Sequence, residues 1–278
     1  MTPTIRRLVT SAAPLQNRFK QALTGATAAK AAPLLGLWAS AGSPQVTELV
    51  SQVPGVSWLV IDMEHAPNTL PTVLSQLQAA QASSAEPVVR VPCANDPVIV
   101  KQVLDLGVRS IMFPAVETAA EAAAAVASTR YPPRGCRGVM TTARMSGYAV
   151  EVGALRAYYE KAEGEMCVTV QVESLAAVEA IPSIAAVDGV DAIFLGPSDL
   201  AASMGHLGNP THPEVGAVMA RAFALCAEAG VAVGSISGDA RVCRGMVEQG
   251  ASFVAVGTDL SILGTGLRRA LDGVLSEK

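Results

Sequence analysis

Eight short, nearly continuous apolar runs recur along the chain, each separated from the next by a stretch long enough for a helix. They are LLGLWAS from residue 34, WLVID from 58, PVVRVP from 87, SIMFPAV from 110, CVTVQVE from 167, DAIFLGP from 191, VAVGSIS from 231 and FVAVGTD from 253. A half-exposed antiparallel strand alternates apolar and polar residues, whereas a strand covered on both faces does not. Eight such strands with crossover helices between them, in 278 residues, predict one TIM (β/α)8 barrel. The abundance of Ala, Gly and Val and an aromatic content of 4% suit tightly packed helices on a parallel sheet. No Gly/Ser linker or shift in composition marks a second domain.

One stretch breaks the rhythm. Residues 129 to 166 form a long connection opened by RYPPRGCRG, between the fourth and fifth runs. Loops of that length are usually functional or disordered, and this one, read as following a strand, is expected to overhang the barrel mouth. The N-terminal stretch is basic, with no acid before Glu48, which is the signature of a targeting segment. It also spaces Leu15, Phe19 and Leu23 by four residues, as an amphipathic helix covering a barrel end would.

Global charge narrows the function classes. A net charge of −4 leaves no footprint for nucleic acid. No apolar run reaches the roughly 18 residues of a membrane span. The five cysteines are scattered, odd in number and without a CxxC pair, which excludes a zinc-finger or disulfide framework and points to a reducing, cytoplasmic setting.

The polar residues collect where the runs end. WLVIDMEH closes on Asp62, Glu64 and His65, the third run reaches Arg90, the fifth closes on Gln171 and Glu173, and GPSDL sets Asp199 after the sixth. Active sites of TIM barrels sit at these carboxyl ends. Two carboxylates on adjacent strand ends can share a hard divalent cation, and oxygen donors favour Mg2+ or Mn2+. Taken singly, Glu173 could equally be a cap or an ion-pair partner. Arg90 could grip a carboxylate or oxyanion beside that cation, or simply pair with Asp62 or Glu64. His65 can move protons at neutral pH. His212 reads as a residue at a helix start with no role, and His206 as a solvated loop histidine.

Seven stretches in one order, GLWAS, WLVIDMEHAPN, VVRVP, NDPVIVKQVLDLG, RYPPRGCRG, VQVES and DGVDAIFLGPSDLAASMGHLGNPTHPEV, resemble the class II pyruvate aldolases of the HpcH/HpaI type. That family includes 4-hydroxy-2-oxoheptanedioate aldolase, 2-dehydro-3-deoxyglucarate aldolase and macrophomate synthase. The similarity spans residues 17–278 as one barrel and leaves residues 1–16 as an extension.

The resemblance implies a pyruvate-binding barrel with its C-terminal helix exchanged between subunits of a hexamer. It implies an enzyme that cleaves 4-hydroxy-2-oxo acids to pyruvate and an aldehyde through a pyruvate enolate, in aromatic or sugar acid catabolism. By motif, Glu173 and Asp199 match the ligands of a divalent cation, Mg2+, Mn2+ or Co2+. Arg90 matches the group that binds pyruvate and its enolate, His65 the acid–base residue and Asp62 an acidic residue of the site. Gln171 matches a residue near the metal-bound oxygens, and Gly196, Pro197 and Ser198 a carboxylate-binding segment. Asp105 matches an aspartate that pairs with the histidine. It ends the helix after the third strand, on the far face of its own barrel, so it could meet His65 only from a neighbouring subunit. In RGVMTTARMSGY the sequence departs from its relatives, and Thr141, Thr142 and Arg144 are expected to shape the aldehyde end of the pocket. The alternatives are an oxaloacetate decarboxylase or macrophomate-synthase-like enzyme using the same enolate, and a non-catalytic scaffold that binds 2-oxo acids. Lys101 falls on the helix after the third strand, which disfavours a Schiff base.

Overall fold

The computed structural model describes residues 16–28 and 32–275. Its strands are β1 (Leu34–Ala39), β2 (Trp58–Asp62), β3 (Glu86–Arg90), β4 (Ser110–Phe113), β5 (Cys167–Val172), β6 (Ala192–Leu195), β7 (Ala232–Ile236) and β8 (Phe253–Thr258). They coincide with the eight apolar runs. All neighbours pair in parallel, and β8 closes on β1 to complete a barrel in sequence order. Outside lie α2 (Pro44–Ser51), α3 (Leu70–Ala80), α4 (Pro97–Asp105), α5 (Ala119–Thr129), α6 (Ala154–Glu165), α7 (Leu175–Ala185), the short α8 (Pro197–Ser203), α9 (Pro213–Ala229) and α10 (Ala240–Glu248). Helix α1 (Arg18–Ala28) precedes the barrel and α11 (Asp259–Leu275) follows it.

Residues just past the strand ends start the helices. Ser43, Asp96, Thr118, Ser174 and Asp239 each accept a backbone N–H of the following turn, a contribution of about 1 kcal/mol apiece. At Thr118 the cap is reciprocal, because Glu121 accepts the Thr118 N–H at 3.1 Å.

Strand parity divides the core in two. Leu59, Ile61, Val89, Val168, Val170, Ile193 and Leu195 face the helices, while Trp58, Val60, Val88, Met112, Cys167 and Phe194 fill the barrel interior. Both tryptophans and three of the few phenylalanines stack there. Phe19, Trp58 and Phe253 lie with ring centroids 5.4–5.5 Å apart at the N-terminal end. Trp38 and Phe194 form the next tier at 5.1 Å. Gly36 makes room for this filling, since a Cβ there would lie 2.5 Å from the Trp58 ring.

Helix α1 closes the bottom of the barrel, as the amphipathic spacing predicts, with Phe19 and Leu23 buried. Leu15 lies outside the described residues. Asn17 fastens this plug through its side-chain amide, which donates to the carbonyls of Arg109 and Glu165 and to Ser110 Oγ at 2.8–3.0 Å.

The long connection does not overhang the mouth. Helix α5 returns the chain to the N-terminal end before RYPPRGCRG begins, so residues 130–153 link α5 to α6, which leads into β5, and belong to the opposite face. Arg130 there pairs with Glu163 and with Asp188, which lies in the turn leading into β6. Arg137 is 2% exposed, lies over the Tyr131 ring at 4.6 Å and donates to Tyr158 Oη at 2.9 Å. Arg144 donates to the Leu106 carbonyl just past α4 at 2.7 Å. Among the described residues no helix is long and apolar enough to cross a membrane.

Candidate active site

The parity that points Trp58 and Val60 into the barrel carries Asp62 inward one step higher. The same holds for Arg90 above Val88, and for Gln171 above Cys167 and Thr169. At the carboxyl ends of the strands the interior therefore changes from rings to charge, and the guanidinium of Arg90 lies over the Trp38 ring at 5.0 Å. Trp38 is the apolar floor of the mouth.

Asp62 and Arg90 face each other in the β2–β3 register. Arg90 donates through Nε to Asp62 Oδ1 at 2.8 Å and through Nη2 to Asp62 Oδ2 at 2.7 Å. Both side chains are buried, at 2% and 7% exposure. Burial alone would raise the Asp62 carboxyl, but the guanidinium and the backbone N–H groups of Glu64 and His65 hold it below its ordinary value. The third nitrogen, Nη1, lies 2.7 Å from Glu64 Oε2, too poorly aligned for a hydrogen bond, and 3.5 Å from Gln171 Oε1. Asp62 and Glu64, both expected as ion-pair partners of Arg90, are thus engaged together.

Glu173 continues the inward series from Gln171. Its Oε1 accepts the Ala115 N–H at 2.9 Å and its Oε2 the Gln171 amide at 2.6 Å. Two lone-pair positions of four remain for another partner. Burial first, and the negative charge of Asp199 second, push the Glu173 carboxyl up to about 7. Glu64 is likewise raised, mainly by burial, with Asp62 and Asp199 adding to it. Asp199 is exposed on the first turn of α8. Gly196 has to be glycine because its backbone passes against this group, and a Cβ there would lie 2.5 Å from Glu173 Oε2. Pro197 and Ser198 begin α8 beside it.

Asp62, Glu64, Glu173 and Asp199 set four carboxylates around the single guanidinium of Arg90, an excess of negative charge that a bound divalent cation would offset. The donor set fits such an ion: hard oxygens, two of them oriented by fixed N–H donors as ligating carboxylates usually are. His65 stands at the edge with its side chain 68% exposed and Nε2 3.8 Å from Glu64 Oε1.

Three contributors were not legible as such. Glu64 is expected only as an ion-pair partner of Arg90, and the structure adds it to the carboxylates of the mouth. Ala115 adopts φ +49°, a left-handed conformation that costs a residue with a Cβ about 1–2 kcal/mol, and this turn aims its N–H at Glu173. Asn68 fixes the β2 loop by donating to the Asp62 carbonyl at 2.7 Å while accepting from Gln76 at 2.6 Å. The Asn in WLVIDMEHAPN was its only trace.

Other expected residues are not brought to this cluster within one copy of the chain. Asp105 ends α4 and faces Arg137 Nη2 at 3.4 Å. Thr141 and Thr142 are exposed on the connection that runs over the N-terminal face, and Arg144 is occupied by Leu106. The expectation that this segment shapes the mouth of its own barrel is corrected by the intervening α5. A cavity of about 280 Å3 lined by Arg18, Phe19, Leu34 and Val56 lies at the N-terminal end, remote from the carboxylates.

Comparison with known proteins agrees with this fold. The chain is 44% identical over 250 residues to a 4-hydroxy-2-oxo-heptane-1,7-dioate aldolase of Shigella flexneri, covering 90% of each. It is 43% identical over 256 residues to a 5-keto-4-deoxy-D-glucarate aldolase of Salmonella arizonae, covering 92% of this chain and 96% of the relative. The crystal structure of an HpcH/HpaI aldolase/citrate lyase family protein from Burkholderia cenocepacia superposes with a TM-score of 0.87 at 43% identity, covering 93% of this chain and 99% of that one. The sequence model of that same family matches residues 34–264, from the first strand into the last helix, and so the chain belongs to the HpcH/HpaI aldolase/citrate lyase family.

Proposed function

We propose that this protein is a divalent-cation-dependent aldolase that splits 4-hydroxy-2-oxo acids into pyruvate and an aldehyde, and runs the reverse addition. The observation that carries this reading is the set of four carboxylates around one pinned guanidinium at the barrel mouth. Glu173 and Asp199 would hold Mg2+, Mn2+ or Co2+, which when bound supplies Lewis-acid polarisation of the 2-oxo group. Gln171 and the Ala115 N–H keep Glu173 oriented for that task.

Arg90 works at the oxygen on which charge develops. Its plane is fixed by the fork to Asp62, and Nη1, which lies 2.7 Å from Glu64 Oε2, is the nitrogen left to stabilise an enolate oxygen as the C3–C4 bond breaks. His65, exposed at the edge, moves the proton at the C4 hydroxyl, directly or through one water. The N–H groups of Ser198 and Asp199, in the first turn of α8, suit the C1 carboxylate. No lysine is required.

The relatives are named for different oxo acids, which leaves the aldehyde half to residues outside the pyruvate set. We assign it to Thr141, Thr142 and Arg144 of a neighbouring copy, with Asp105 of that copy beside His65. This requires an oligomer, for which we take a hexamer in which α11 packs on a neighbour. The five free cysteines suit a reducing compartment, where we place the reaction.

The test is pyruvate release from a panel of 4-hydroxy-2-oxo acids after chelation and add-back of each cation. Activity lost with chelator and restored by Mg2+, Mn2+ or Co2+ supports the reading. Turnover unaffected by chelation overturns it.

A further inference from the structure

We propose that His206, His212 and Glu214 form a second cation site, of the zinc class, on the rim of the barrel mouth and independent of Glu173 and Asp199. Among the described residues this is where three metal-ligating side chains converge, with one donor atom from each lying within 4.8 Å of the others. His206 Nε2 is 2.9 Å from Glu214 Oε2. The His206 and His212 rings lie face to face, with centroids 3.6 Å apart and planes 15° from parallel.

The backbone holds the three residues together, and the two stacked rings have to turn about their side-chain bonds to point their nitrogens at one ion. His206 N–H donates to the Ala201 carbonyl at 2.7 Å, Asn209 N–H to the His206 carbonyl at 2.9 Å, and His212 N–H to the Asn209 carbonyl at 3.1 Å. This compact turn joins α8 to α9, and His212 is the N-cap of α9. A cation entering between His206 Nε2 and Glu214 Oε2 replaces the proton that those two atoms otherwise share. His212, whose Nδ1 lone pair holds only a 3.3 Å contact from the Glu214 N–H, supplies the second imidazole.

Donor spacing and type select the ion. A tetrahedral ion with bonds of about 2.0–2.1 Å sets its ligands about 3.3 Å apart. Separations of 2.9 Å up to 4.8 Å bracket that value and close by side-chain rotation. Two imidazoles and one carboxylate, with a fourth position open to water, suit Zn2+ or Co2+ rather than Mg2+. The mouth pair offers only oxygens and has the opposite preference. Occupancy of the rim site ties the turn after α8, the helix that carries Asp199, to the start of α9.

The test uses the full chain carrying Glu173→Gln and Asp199→Asn, so that the mouth cannot contribute. Zn2+ binding is followed by calorimetry, Co2+ binding by visible absorption, and thermal stability with and without Zn2+. One equivalent of Zn2+, tetrahedral Co2+ bands and a higher Tm with Zn2+ are expected. His206→Ala, and His212→Asn, which keeps an N-cap side chain, should each lower affinity at least about tenfold and remove the Tm shift. Absence of binding in the parent, or a smaller loss in either variant, overturns the site and leaves the cluster as a helix cap with an ion pair.

Discussion

One guanidinium of Arg90 grips both carboxylate oxygens of Asp62, at 2.8 and 2.7 Å, from the position directly across the β2–β3 register. A bidentate fork of this kind fixes the plane of the arginine as well as its charge. What the fork leaves for chemistry is Nη1, aimed toward Glu64 and Gln171.

Asp62→Asn keeps the shape of that residue and removes its charge, so it tests whether the fork sets the working orientation of Arg90. Breaking a buried pair costs about 3–5 kcal/mol, and the low end is expected because Glu64 still neutralises the arginine. The folded-state pKa of Asp62 is depressed below 3.8. Its stabilisation is therefore present above that pH and is lost as pH falls through the folded value. Denaturant melts across the acid limb should show this component in the parent and not in Asp62→Asn. An identical acid limb in both proteins would count against the ionised pair.

Gly196→Ala places a methyl group 2.5 Å from Glu173 Oε2, so the carboxylate has to move. Cation affinity should fall by about 10–100-fold, as for other losses of ligand positioning, while circular dichroism stays that of a folded barrel. Glu173→Ala and Asp199→Ala should each abolish cation-dependent turnover, because one carboxylate cannot hold the ion alone. Near-normal turnover of either at low metal would remove that residue from the ligand set.

Legibility in the sequence followed burial. Eight strands were readable because a strand covered on both faces is apolar throughout, and the same period of two carried Asp62, Arg90 and Gln171 into the mouth. Helix α5, AAEAAAAVAST, is mostly alanine and shows little contrast between faces. Without that contrast the connection that follows reads as leaving a strand, which places it at the wrong end of the barrel. Ala115 was hidden for a different reason: its contribution is a backbone N–H set by an unusual φ, which no side chain announces.

Beyond its buried start at Asp259, helix α11 exposes Leu260, Leu263, Leu267, Leu271 and Val274, spaced three and four residues apart as one apolar stripe. A stripe of this extent on a helix end is expected to be covered by another copy. Sedimentation at micromolar concentration should give an oligomer, and Leu263→Glu with Leu267→Glu should shift it toward monomer. If the paired variant still sediments as the parent does, α11 is not the contact. If dissociation spares turnover, no neighbouring copy supplies Asp105.

Arg90 and His65 are asked to act at different stages, and two reactions separate them. Arg90→Ala removes both a contact to the 2-oxo acid and stabilisation of the enolate, so exchange of the pyruvate methyl protons, aldol cleavage and decarboxylation of oxaloacetate should all fail. His65→Ala removes a group needed only where a proton moves at the C4 oxygen. Loss of one positioned acid–base group typically costs about 10²–10⁴-fold. Aldol cleavage by His65→Ala should fall within that range, while oxaloacetate, which loses CO2 without a C4 base, should retain a larger fraction of its rate. The exposure of His65, against the burial of Arg90, makes this comparison clean, since the histidine can be removed without leaving a buried charge unpaired. Equal losses in the two reactions would show that His65 organises the site rather than moving the proton.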